Sequence, residues 1–448
     1  MRLLLISLIL TLFSLVVPAQ QELTLDQAIQ IALHNNSGLK QSVNGISGYE
    51  SNVLAAYGNF LPSLGLSGSW DWSKSDIKNA GFIIINGVPF STSASSQNRS
   101  YSASVNSNWT LFDGLANFAA LSQSKNDLQS AEASLQRLKQ DIVFQTISLY
   151  YDVINKQKLL SVKEEDLKWN QKNLETIRER NKLGAATLAD VYQQEVAEGN
   201  AELQLVTAQN DLESSKNDLL YYLGKDVFEN YVFPDILTED EKGILSSDLL
   251  KDFDNLSELV TQAFDNRQDY KSAILDLEST VNGVTIARSG HLPSLTANGF
   301  YQYQGDRLSE LDQSKRLAFG LTLSIPIFSG WSVSNRVQIA EVQAENKEID
   351  LKDLERDIKR QIETIFLQLK VAKKGLDVSQ RNVKSASENL KIEEEKYSIG
   401  SGKLLDVLIA NSNYITAQSD LINSQYAYIV LSDKLKYTLG VLDYSKYE

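Results

Sequence analysis

Leu61-Pro62-Ser63-Leu64-Gly65-Leu66-Ser67-Gly68-Ser69-Trp70-Asp71-Trp72-Ser73 is the stretch that decides the fold. Leu64, Leu66, Trp70 and Trp72 fall on one side of a period-2 strand, and Ser63, Ser67, Ser69, Asp71 and Ser73 on the other. Pro62 lacks an N–H and restricts its neighbour, so it ends a helix and opens a strand. A strand with one apolar and one polar face suits a half-buried sheet or the wall of a membrane barrel.

The stretch recurs as Leu292-Pro293-Ser294-Leu295. Each copy is followed by a second alternating strand that ends in a Phe-x-Gly turn, at Phe112-Asp113-Gly114 and Phe328-Ser329-Gly330. Strands are therefore expected at about 62–73, 101–112, 294–304 and 317–328. Between the first two lies a polar segment holding Phe82 to Phe90, where Asn86-Gly87 between apolar runs signals a hairpin.

Helical sequence flanks both pairs of strands. Leu23, Ala28, Ile31, Ala32, Leu39 and Val43 recur at helical spacing, with Thr24 and Gln27 as a capping box. Asn35, Asn36 and Gly38 mark a kink in that helix. From Leu115 to Arg180 there is neither Pro nor Gly, and Leu128, Leu135, Ile142 and Leu149 repeat at sevens, as helices packed on helices do. The expected long helix, 115–181, would be roughly 100 Å long. A turn at 182–187 and a return helix at 188–223 follow. The second half repeats the scheme with a long helix at 331–397, a turn at 398–403 and a return helix at 404–439. Gly184, Asp190, Val191 and Gly224 match Gly400, Asp406, Val407 and Gly440 at one constant offset, so the helices keep their lengths between the halves. The chain divides into a first repeat, 20–224, a connector, 225–254, a second repeat, 255–440, and a tail, 441–448.

Residues 1–19 resemble a secretory signal, with Arg2, an apolar run from Leu3 to Val17, and Val17-Pro18-Ala19 for cleavage. The 448 residues carry a net charge of −14 and no Cys, which argues against nucleic acid, disulfides, thiolate chemistry and an N-terminal lipid on Cys. No later stretch is apolar enough for a membrane helix, so an exported chain of this kind enters a membrane only as strands. Four strands cannot close a barrel and open edges are not viable in lipid, so closure requires several copies. Two copies would fill the barrel with side chains, and three would leave a lumen. Trp70, Trp72, Tyr101, Trp109, Tyr301, Tyr303 and Phe319 are the candidate aromatic girdle.

Leu23-Thr24-Leu25-Asp26-Gln27-Ala28, the paired Leu-Pro-Ser-Leu motifs, and Tyr397-Ser398-Ile399-Gly400 followed by Asp406-Val407-Leu408 resemble the TolC-type outer membrane efflux proteins over nearly the whole mature chain. The resemblance implies a mostly α fold with a membrane β-barrel portion. Three duplicated chains would form a twelve-stranded barrel and a periplasmic tunnel of coiled-coil helices. It implies a homotrimer in outer membrane lipid, extending into the periplasm of a Gram-negative bacterium. It implies a passive exit duct for efflux or type I secretion, met by a periplasmic adaptor and an inner membrane pump of RND or ABC type. By the same resemblance the tunnel narrows at the helix turns. Asp190, Tyr397 and Asp406 match constriction positions there. Gly402 stands where a related protein has a basic tie, with Lys403 beside it as the replacement, and Ile409 stands in place of a second acid. Leu183, Gly184, Ala185 and Ala186 on one turn, and Ile399, Gly400, Ser401 and Gly402 on the other, are the expected adaptor-docking residues.

No catalytic, cofactor or metal constellation is present in the sequence. His34 and His291 read as surface residues at helix ends, and Gly400-Ser401-Gly402-Lys403 lacks the spacing of a phosphate loop. A periplasmic coiled-coil adaptor or scaffold is the alternative reading.

Overall fold

The computed structural model describes residues 21–77, 82–91, 94–234, 243, 245 and 255–447. The expected signal segment 1–19, the acidic run Glu239-Asp240-Glu241 and most of the expected connector lie outside the described residues. The chain forms two compact units, one of Met1–Val43, Ala133–Lys271 and Leu354–Glu448, the other of Asn44–Glu132 and Ser272–Asp353.

The second of these carries the sheet. Strands β2 (Ser63–Ile77), β5 (Ala94–Phe112), β7 (Ser294–Gly305) and β8 (Ser314–Ser324) pair antiparallel in that order, so β2 and β8 are the edges. A separate hairpin joins β3 (Phe82–Ile85) to β4 (Val88–Ser91) across Asn86-Gly87; β1 (Gln21–Glu22) and β6 (Tyr231–Val232) belong to the other unit. The register puts Leu66 opposite Val105, Trp70 opposite Tyr101, Tyr301 opposite Leu317, and Leu295 opposite Leu323. These apolar pairs share one face, and that face is bare: Leu66 is 81% exposed and Phe319 82%. On the opposite face Ser67 bonds Ser104 at 2.9 Å, Asn106 Nδ2 donates to Ser67 at 3.0 Å, and Ser69 bonds Ser102 at 2.9 Å.

Two strand boundaries differ from those read in the sequence. The first pair extends from Asp71 opposite Ser100 to Ile77 opposite Ala94. Beyond Trp72 the residues Ser73 to Asp76, opposite Asn98 to Ser95, are polar at every position, so alternation vanishes although the backbone ladder continues. The fourth strand ends at Ser324, not near Phe328, because Pro326 brings no N–H to the ladder, while Ser324 pairs with Ser294, the first residue after Pro293.

The other unit is helical. A short parallel pair joins β1 (Gln21–Glu22) to β6 (Tyr231–Val232). Helix α1 (Leu25–Asn35) starts at a Thr24/Gln27 capping box and is separated from α2 (Ser37–Gly58) at Asn36, whose side chain accepts from Leu39 N. The counterparts in the second repeat are α5 (Leu256–Asn266) and α6 (Gln268–Ser289). The long helices α3 (Ala116–Lys182) and α7 (Ser332–Ser398) have 67 residues each and contribute to both units. The return helices α4 (Leu188–Tyr222) and α8 (Leu404–Thr438) have 35 each.

The duplication is visible in the core. Ile142, Val143, Ile147 and Tyr150 of α3 bury against Leu219, Leu220 and Leu223 and against Ile29 of α1. Ile358, Ile362, Ile365 and Leu369 of α7 bury against Leu435 and Leu439 and against Leu259 and Ala263 of α5. Each return helix ends at a left-handed glycine, Gly224 (φ +65°) or Gly440 (φ +75°). Lys225 N then donates to Leu220 O, and Val441 N to Lys436 O, which satisfies carbonyls the helix would leave unpaired.

Candidate constriction at the hairpin tips

Helices α3 and α4 form one hairpin of the helical unit, and α7 and α8 the other. At the first tip, Gly184 adopts φ +73° and Ala185 N donates to Arg180 O at 2.8 Å, closing α3. Thr187 then caps α4: Asp190 N donates to Thr187 Oγ1 at 3.1 Å, and Thr187 N donates to Asp190 Oδ2 at 2.8 Å. Asp190 is thus a first-turn acid engaged in its own cap, favoured there by the helix dipole.

The second tip is built differently. Gly400 adopts φ +79°, and Ser401 N and Gly402 N both donate to Lys396 O. Lys403 is the cap residue of α8 with no side-chain cap bond, and it forms no ion pair among the described residues. Asp406 lies in the first turn of α8 and lines an open cavity of about 500 Å³ with Glu393, Lys396, Ser401 and Ile409. Glu393 is paired to Lys396 at 2.7 Å, which leaves Asp406 as the acid of that cavity without a salt bridge.

Tyr397 joins the two tips. It packs against two buried clusters, one holding Leu174, Ile177, Val191 and Leu404 and the other Leu390, Val407 and Ala410. Burial pushes its hydroxyl above the ordinary range, and the negative charge of Asp190 pushes the same way against Arg180. The structure therefore brings Asp190 and Tyr397 together and leaves Lys403 out. The basic group beside Tyr397 is Arg180, whose guanidinium carbon sits 5.2 Å from the ring centroid. Nothing in the sequence marks Arg180, because a basic residue in the last turn of a helix needs no explanation beyond the dipole.

A buried polar network lies deeper between the same hairpins. Asn411 Nδ2 of α8 donates to Asp166 Oδ1 of α3 at 2.8 Å, Asn170 Nδ2 donates to the same oxygen at 3.0 Å, and Gln194 Nε2 of α4 donates to Asn170 Oδ1 at 3.0 Å. Gln194 is fully buried. Nothing in the spacing of these residues in the sequence distinguishes them from a solvated helix face.

The residues expected to dock an adaptor lie at the helix turns. Leu183 is 82% exposed and Ile399 80%. A Cβ on Gly184 or Gly400 would meet nothing within 4 Å. The residues expected to form an aromatic girdle belong to the other unit and all lie on the bare apolar face of the sheet. Trp70, Trp72, Tyr101 and Tyr303 cluster toward one end, joined there by Arg99 opposite Trp72 and by Lys315, 5.5 Å from the Tyr303 ring. Trp109 marks the other end, where its Nε1 donates to Phe60 O at 2.8 Å. Tyr301 and Phe319 fall between the two ends, within the band. About ten residues of strand separate the levels of Trp109 and Trp72, roughly 25 Å once the strands are tilted.

A sequence model of the outer membrane efflux protein family matches residues 28–225 and 259–441, one segment in each repeat. The chain is 23% identical over 435 residues to the outer membrane protein TolC of Salmonella enteritidis, covering 93% of this chain and 82% of the relative. It is 21% identical over 423 residues to the outer membrane efflux protein BepC of Brucella suis, covering 93% of this chain and 85% of the relative. Its fold resembles the crystal structure of the outer membrane protein VceC from Vibrio cholerae with a TM-score of 0.80 and 21% identity, covering 93% of this chain and 96% of that one.

Proposed function

From the premise that this chain belongs to the outer membrane efflux protein family, we propose that three copies close into one barrel and that their helical hairpins form a tunnel ending at the tips. The protein is an outer membrane efflux channel, the exit duct of a tripartite system. Family membership sets aside the adaptor or scaffold alternative. The observation that carries the trimer is the four-stranded sheet with a bare apolar face, a hydrogen-bonded polar face and two unpaired edges. A sheet of that kind is stable in lipid only when β8 of one copy pairs with β2 of the next. Three copies give a lumen lined by the Ser, Asn and Gln face, whereas two would fill it with side chains.

The tips are the narrow point of the duct. Asp406 contributes a ring of like charge that favours cations, with Asp190 and Tyr397 holding the first tip against the second. The projecting Leu183 and Ile399, beside the open sites at Gly184 and Gly400, suit helices of a periplasmic adaptor approaching closely. The adaptor in turn links the duct to an inner membrane pump of RND or ABC type, which supplies the energy. Substrate passes without chemical change.

Reconstitution of the full chain in planar lipid bilayers tests the reading. Discrete pores with cation preference are expected, and Asp406→Ala is expected to weaken that preference. Pores whose selectivity and conductance ignore Asp406→Ala would remove Asp406 from the constriction.

A further inference from the structure

The second tip is too tight for a side chain at position 402. A Cβ on Gly402 would lie 2.9 Å from Tyr397 N, 3.0 Å from Lys396 Cβ and 3.2 Å from Lys396 C. Two of these atoms are backbone and cannot move aside. A basic tie at this position is therefore excluded by the local turn, in which Ser401 N and Gly402 N both bond Lys396 O.

Arg180 of the first hairpin reaches the second instead. Its Nη1 donates to Tyr397 O at 3.3 Å and its Nη2 to Ser398 O at 3.4 Å, while the guanidinium faces the Tyr397 ring. These carbonyls belong to the last turn of α7, the negative end of its dipole; Tyr397 O also accepts from Gly400 N at 3.2 Å, and Ser398 O is among the terminal carbonyls that the helix itself does not pair. Arg180 thus caps a helix of the other hairpin, and its flat fork engages two acceptors at once, which an ammonium cannot do. Both bonds are longer than the usual N–H···O distance, and Arg180 is half-exposed, so the tie is of a strength that yields without unfolding.

We infer that Arg180 is the positioning residue that latches the two hairpin tips together in the resting duct, in place of a basic residue on the second tip itself. The inference rests on the duct reading above. Arg178, two residues before it, provides the control, because it pairs with Glu195 at 2.7 Å within the first hairpin and, among the described residues, forms no hydrogen bond or ion pair with the second.

The test is single-channel recording of the full-length oligomer in planar bilayers, comparing wild type with Arg180→Ala, Arg180→Lys and Arg178→Ala. Loss of a charge-assisted fork should raise the open fraction by about tenfold in Arg180→Ala. Arg180→Lys should fall between, because it keeps the charge and loses the fork. Arg178→Ala should match wild type although it removes the same charge from the same turn. The chain has no Cys, so a Cys pair at 180 and 398 can be bridged by a cleavable thiol cross-linker. That protein should stay closed when bridged and show the Arg180→Ala behaviour once released, which decides the question if Arg180→Ala fails to assemble. Wild-type pores with Arg180→Ala unchanged, or a released pair as quiet as wild type, would overturn the latch and leave the duct standing. A wild-type protein that forms no pores would overturn both.

Discussion

Gly224→Ala and Gly440→Ala make the same chemical change at equivalent places in the two repeats, and the structure assigns them different costs. Both glycines adopt left-handed φ, +65° and +75°, beyond the end of a return helix. An alanine at either must enter that region at about 1–2 kcal/mol. At 224 the new Cβ would lie 3.5 Å from Asn35 Cβ, an ordinary contact, so the cost stops there. At 440 it would lie 2.8 Å from Asn266 C and 2.9 Å from both Arg267 N and Arg267 Cα. That backbone has little freedom to retreat, because the buried Arg267 side chain forks onto Asp269 and also donates to Gln361 and to Thr438 O. Crowding of this kind adds about 1–3 kcal/mol. Gly440→Ala should therefore lose about 2–5 kcal/mol in all, and Gly224→Ala only about 1–2 kcal/mol. Denaturant unfolding of the detergent-solubilised protein, followed by circular dichroism at the helix band, measures both. Equal losses, or a larger loss for Gly224→Ala, would refute the assignment of the difference to backbone contact at Asn266 and Arg267.

Three further outcomes are expected. Burial of Asp269 would raise its carboxyl, but the hydrogen bond and charge of Arg267, with Arg137 beyond, outweigh burial and hold it below the ordinary range. A carboxylate lowered in the folded state stabilises above its unfolded value near about 3.9, and that stability is lost as pH falls below it toward the folded value. Thermal melts between about pH 6 and pH 3 should therefore show a shallower acid decline for Asp269→Asn than for wild type, and parallel declines would count against the pair. On the sheet, Leu66→Arg places a charge on the lipid face and should cost about 2–4 kcal/mol in membrane unfolding, whereas Ser67→Arg on the luminal face should cost far less; reversal of that order would mean the two faces are misassigned. Bulky side chains at Gly184 or Gly400 should abolish export in cells while oligomers persist on native gels, and retained export would place adaptor docking elsewhere.

The long helices were legible because a run without Pro or Gly from Leu115 to Arg180, with Leu and Ile at sevens, admits no other structure of that length. The duplication was legible because Gly184 and Gly400, and Gly224 and Gly440, each fill a left-handed turn that a side chain resists. What stayed hidden was local geometry. The ribbon from Ser73 to Asp76 carries no alternation, since a ladder needs only backbone groups. The early end of β8 hung on Pro326, whose effect the apolar sequence Ile325-Pro326-Ile327-Phe328 concealed. At the tips, Asp190 and Tyr397 were identifiable by resemblance, while Arg180 was not, because its partners are backbone carbonyls of another hairpin and carbonyls leave no mark in a sequence. Gly402 looked like a missing functional residue. Its role is steric, set by the closeness of Lys396 and Tyr397.

The most direct test of the central claim is the native mass of the protein extracted from outer membranes in mild detergent. Three copies per particle is the predicted result, because that number closes the edges of a four-stranded sheet around a lumen. A monomer, or a protein recovered wholly from the soluble periplasm, would contradict the barrel and with it the duct.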